Sequence, residues 1–167
     1  MDIFELIKTR RSIRTFSDRP VPDEILNNII EAGMWAPSGL NNQPWKFAVI
    51  KDGDLKTKIS GLTRYSKIVS GSNVLIAVFL DHPSGYDRTK DTLAVGACIQ
   101  NMLLYIHSVG LGAVWLGEIL KNKDKALQLV GNPGDLELMA IIALGYPAAK
   151  SGKGTRKNPE QTIFFRK

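Results

Sequence analysis

The sequence predicts an α+β domain with a mixed or antiparallel sheet flanked by helices. Three observations carry this. The helical stretches come first, and strands then alternate with helices of unequal length. Val74–Leu80 is a nearly unbroken apolar run, as a buried central strand requires. No strand is followed by a Gly-x-Gly-x-x-Gly turn and no Walker sequence occurs, which argues against a doubly wound nucleotide fold. At 167 residues, with no repeat and no linker, residues 1–167 read as one domain.

The elements follow in order. Asp2–Thr9 carries Ile3, Leu6 and Ile7 on one side of a short helix. Asp18-Arg19-Pro20 makes a turn. Pro22 suits a first helical position, and Ile25, Ile29 and Ala32 repeat at helical spacing to about Trp35, where Pro37 stops the helix. Phe47–Lys51 reads as a strand and Asp52-Gly53 as its turn. Asp54–Leu62 is helical in pattern, and Tyr65–Asn73 is ambiguous. Thr89–Val109 is the strongest helix, apolar almost all round and ended by Gly110, so it belongs in the core or at a subunit interface. Ala113–Leu116 is a short strand. Asn122 caps a helix from Lys123 to Val130, closed by Gly131. Leu136–Leu144 is a buried strand, and Thr162–Phe165 reads as a terminal one.

The net charge of +6 is concentrated at the two ends. Residues 8–19 set five basic side chains against Asp18, and residues 150–167 set six against Glu160. The rest of the chain is slightly acidic. A nucleic-acid binder spreads its cations along a face; two terminal clusters fit convergence on one small anion. Cys98 is the only cysteine, so an internal disulfide and a cysteine-rich metal site are excluded, and a reducing cytoplasm fits. Neither a membrane-spanning run nor a signal peptide is legible.

Two stretches carry candidate chemistry. In Arg10-Arg11-Ser12-Ile13-Arg14, an extended backbone points Arg10, Ser12 and Arg14 the same way, a donor set suited to a polyoxygen anion. Ala36–Phe47 packs Ser38, Asn41, Asn42 and Gln43 between Pro37 and Pro44. Its donors and acceptors suit a heteroaromatic edge, although these are also ordinary turn residues. Cys98 and His107 fall on the apolar stripe of the long helix and read as core residues.

Together with Gly110-Leu-Gly-x-x-Trp-Leu-Gly117, Leu144-Gly-Tyr-Pro147 and Arg156 in the tail, these stretches make the chain resemble the nitroreductase family of flavin enzymes along nearly its whole length. The resemblance implies a nitroreductase-like sandwich and FMN bound between the subunits of a homodimer. It implies that Arg10, Ser12 and Arg14, with Arg11 beside them, hold the phosphate and ribityl chain, and that Arg156 and Lys157 add to the phosphate site. Pro37, Ser38, Asn41 and Gln43 would belong to the loop laid against the partner's flavin. Leu116 and Gly117 would lie beside the ring, with the Gly117 N–H near N5. Thr162–Phe165 would be a swapped strand reaching the partner. The implied activity is reduction of nitroaromatics, quinones or similar small acceptors by NAD(P)H, in ping-pong fashion through the flavin, with no protein nucleophile, no metal, no nucleic acid and no membrane. The alternatives are a flavoprotein of this fold with other chemistry (dehalogenation, flavin cleavage or dehydrogenation) and a basic module for nucleic acid.

Overall fold

Each residue of Val74–Asp81 (β2) is buried, and the fold is built outward from it. In the computed structural model, which describes residues 2–131, 133–149 and 151–167, β2 pairs antiparallel with Trp45–Ile50 (β1) on one side and with Leu136–Gly145 (β4) on the other. Gly112–Leu116 (β3) completes the sheet, also antiparallel, in the order β1-β2-β4-β3. The sheet is therefore antiparallel throughout. Its one parallel feature is an isolated bridge between Ser12 and Ala113.

A strand's side chains alternate faces, and β2 shows both faces buried. Val74, Ile76, Val78 and Leu80 meet the helices Asp23–Met34 (α2) and Arg88–Ser108 (α5). Leu75, Ala77 and Phe79 meet the layer of Gly53–Ser60 (α3), Ser66–Ser70 (α4) and Lys123–Leu129 (α6). Each fully buried Leu, Ile, Val or Phe in these layers is worth roughly 1.5–3 kcal/mol, so the double burial of β2 makes a large contribution to stability. Helix α2 approaches α5 closely because Gly33 has no side chain: a Cβ there would lie 2.8 Å from Met102 Cγ and 3.0 Å from Cys98 Sγ.

Local chemistry sets the boundaries. Asp52 accepts from Leu55 N at 2.7 Å and caps α3; Asp87 accepts from Lys90 N at 3.0 Å and starts α5 at Arg88. Pro22 lies just outside α2 rather than at its first position. Ile3–Thr9 (α1) ends where Arg10 turns extended. Gly110 and Gly131 take positive φ, as residues just after helices do. Asn122 does not cap α6; its amide donates to Leu62 O at 2.7 Å and ties α6 to the end of α3.

Within the single chain Thr162–Phe165 forms no strand. Pro159–Gln161 forms a 3-10 turn closed by Asn158 and Gln161, and the residues after it join no ladder. A strand needs a neighbouring edge, and within one chain the tail lies along none. Phe164 and Phe165 are left exposed. No helix among the described residues is long and apolar enough to cross a membrane.

Candidate active site

After α1 the chain runs extended past the open edge of β3. Ile13 N donates to Ala113 O at 2.9 Å, and Ser17 N to Tyr146 O at 2.9 Å. Gly112 is small because Ile13 lies on it: a Cβ there would be 2.6 Å from Ile13 Cγ1. The alternation expected of Arg10–Arg14 holds. Arg11 and Ile13 line a cavity of about 690 Å³, together with His107, Leu111 and Pro147, whereas Arg10, Ser12 and Arg14 do not.

The two basic ends meet here. The tail crosses Arg11 closely enough that a Cβ at Gly154 would lie 2.7 Å from its guanidinium carbon. Arg10 has its pKa lowered by burial first, then by the charges of Arg156 and Arg11. Among the described residues no carboxylate forms an ion pair with Arg10, Arg11, Arg14 or Arg156. Arg11 donates instead to the carbonyls of Lys8 at 2.6 Å and Arg10 at 2.8 Å, and its Nε is buried without a partner. Arg14 is exposed and only 3.4 Å from Ser12 O. Lys157 is exposed in the tail; Lys150 lies outside the described residues. Like charges repel, and the cluster has the charge and the donors to receive an anion. A phosphate monoester fits its donors.

His107 borders the same cavity, with Nε2 3.0 Å from Thr9 Oγ1. Burial lowers its pKa first, with the charges of Arg10 and Arg11 adding to this. It is not a core residue: it is half-buried, and the charges of Arg10 and Arg11 act on it.

The second stretch lies elsewhere on the chain. Leu40, Asn41 and Gln43 all have positive φ, at 56°, 53° and 48°, a conformation that costs non-glycine residues of order 1–3 kcal/mol each. Internal bonds hold them there. Gln43 N donates to Ser38 Oγ at 3.0 Å, and Asn42 Nδ2 donates to Ser84 O at 3.0 Å and Asp91 Oδ1 at 2.8 Å. Pro37 and Ser38 line a hollow of about 270 Å³ with Lys90 and Leu93. The cavity beside Arg11 and the hollow beside Ser38 share no lining residue among the described residues.

Leu116 is buried with its side chain among the residues packed under α6, so only its backbone can reach a ligand. Gly117 is exposed; its carbonyl accepts from Leu120 N at 3.1 Å. Next to it, Glu118 accepts from Thr63 Oγ1 at 2.5 Å, from Arg64 N at 3.1 Å and from Lys121. The bond from Lys121, then that from Thr63, hold its pKa down at about 2. Glu118 thus fixes the end of β3 against the α3–α4 connection. The sequence reading leaves out Asp91. For Asp91 a signal existed: with Ala94, Val95, Cys98 and Met102 it lies on the buried stripe of α5.

An antiparallel sheet between two helical layers, with a cationic cleft made by both chain ends, defines the class. The model of the Nitroreductase family matches residues 7–66 and 60–146, and the chain belongs to that family. A protein of Methanothermobacter thermautotrophicus, provisionally named an NADH dehydrogenase/NAD(P)H nitroreductase, is 36% identical over 96% of this chain and 85% of its own. A crystal structure of a provisionally named nitroreductase in complex with FMN, from Desulfovibrio desulfuricans, is 43% identical, with a TM-score of 0.94 over 100% of this chain and 98% of its own. The iodotyrosine deiodinase of Thermotoga neapolitana is 29% identical over 87% of this chain and 88% of its own.

Proposed function

We propose that the chain is an FMN-dependent oxidoreductase that works as a homodimer, takes electrons from NAD(P)H and passes them to nitroaromatics, quinones or similar small acceptors. The observation that carries this is the arginine cluster without a carboxylate, assembled from Arg10, Arg11 and Arg156. The FMN complex of the Desulfovibrio relative supports the choice of anion. Bound FMN supplies the hydride chemistry. The protein's part is to bind and orient. Arg10, Ser12 and Arg156, with Lys157 near, neutralise the phosphate. Arg14 brings positive charge to the ring's polar edge, where it favours a reduced, anionic form. The Gly117 N–H directs a donor at the ring. Pro37, Ser38, Asn41 and Gln43 cover the partner's ring, which fits the separate linings of the two hollows within one chain. The exposed tail at 162–165 reaches the partner and gains there the ladder it lacks alone.

The test is anaerobic titration of purified, FMN-loaded protein with NADH and NADPH, followed by its visible absorption. Bleaching, and recovery on adding a nitroaromatic or quinone, is the expected result. A protein that binds no FMN overturns the reading. Replacing Arg10 and Arg156 with Ala is expected to weaken FMN binding at least tenfold for each, since a hydrogen bond to a charged group is worth about 1.5–3 kcal/mol. The deiodinase relative favours one second reading, reductive dehalogenation at the same flavin. FMN that stays bound but is not bleached by either nucleotide would select it.

A further inference from the structure

The carboxylate of Asp91 is 2% exposed within an otherwise apolar helix face. Such a group destabilises a core unless its lone pairs are met. Here they are met by two different loops. Oδ1 accepts from Asn42 Nδ2 at 2.8 Å, and Oδ2 accepts from Tyr86 N at 2.9 Å and Asp87 N at 3.0 Å. The Asn42 amide also donates to Ser84 O at 3.0 Å, which joins the loops to one another. Both loops come so close that glycine is required. A Cβ at Gly85 would lie 2.9 Å from Asp91 Oδ2, and one at Gly39 would collide with the Tyr86 hydroxyl. The strained residues Leu40, Asn41 and Gln43 flank Asn42, whose side chain reaches the buried Asp91 carboxylate.

We propose that Asp91 is a positioning residue: through Asn42 it locks the left-handed turn that presents Ser38 and Asn41, and through the 86 and 87 amides it seats Tyr86 against that turn. One buried carboxylate thereby shapes the loop that covers the partner's flavin and the Tyr86 segment packed against that loop, an assignment that rests on the FMN reading above. Burial alone would push the Asp91 carboxyl up. The bonds from Asn42, Tyr86 and Asp87 and the charge of Lys90 outweigh it and leave the group below its ordinary value, hence ionised. Only an ionised group accepts from both loops without offering a donor to either.

The experiment uses the FMN-loaded dimer and three single variants, read by FMN affinity, visible circular dichroism of the bound flavin, and melting temperature. Asn42→Ala removes the lock but leaves Asp91 its two backbone partners. FMN affinity is expected to fall about tenfold and the flavin dichroism to change, while the apoprotein melts within a few degrees of the wild type. Asp91→Asn sets a donor against the Asn42 amide, with the same flavin signature and a larger loss of melting temperature. Asn42→Asp sets carboxylate against carboxylate at neutral pH. Its affinity is expected to recover as the pH falls and the pair shares a proton, with Lys90, Asp87, Arg88 and the titratable His82 as the other groups around Asp91, and the wild type shows no such recovery. Variants that lower the melting temperature but keep the wild-type affinity and dichroism overturn the proposal and leave Asp91 a purely structural group. A wild type that binds no FMN overturns the functional reading, and this proposal with it.

Discussion

At the level of single residues, the site is defined by groups whose needs the chain does not meet itself. Arg11 keeps a buried Nε without a partner, and Arg10 is depressed by burial and by its cationic neighbours. His107 senses the same field. Its folded pKa lies below 6.5 through burial and through Arg10 and Arg11, so the imidazole is neutral at neutral pH. The stability this gives is complete above 6.5 and is lost as the pH falls toward the depressed value. Any change that cancels the arginine charges should raise that pKa. Arg10→Gln is expected to do so, and FMN binding to do so further, as followed by the imidazole NMR signals across a pH titration. A His107 that titrates identically with and without FMN would place the phosphate away from this corner.

Among the elements, Glu118 and Gly33 show what holds the layers in place. Glu118 titrates at about 2 in the folded state against an ordinary 4.5. Its contribution is therefore present above 4.5 and is lost as the pH falls from there toward 2. Glu118→Gln is expected to flatten the fall of melting temperature over that window while lowering it at neutral pH. Gly33→Val is expected to cost about 1–3 kcal/mol in urea unfolding, because α2 must move off Met102 and Cys98. Most of these elements were legible to within one or two residues, since the periodicity of α2, α5 and β2 is unbroken and Gly110 and Gly131 mark ends. What was not legible depended on a partner distant in sequence. Asn122 looks like a cap until Leu62 O is placed beside it. Thr162–Phe165 has strand composition but no edge to join. The Arg10–Arg14 alternation was readable because it is local, whereas Asn42 and Asp91, 49 residues apart, form a pair that only the fold creates.

For the whole molecule the telling feature is how much apolar surface the single chain leaves uncovered. Ile3, Phe4 and Ile7 on α1, Trp35 at the end of α2, Leu40 in the strained loop and Leu93 on α5 are all exposed. Scattered exposed apolar residues are ordinary, but these lie on α5 or on segments that pack against it, which makes the surface around α5 a candidate interface. The turn at Gly39–Asn41 packs against the same helix. If it covers the partner's flavin, cofactor binding and dimerisation are one equilibrium, and each must stabilise the other by the same factor. Leu93→Asp, on an exposed face of α5, is expected to shift the protein toward monomer in sedimentation velocity and to weaken FMN binding in proportion, although Leu93 lies outside the arginine cluster. Excess FMN should draw the variant back toward dimer. A monomeric variant with undiminished FMN affinity would break the linkage and return the whole flavin site to one chain.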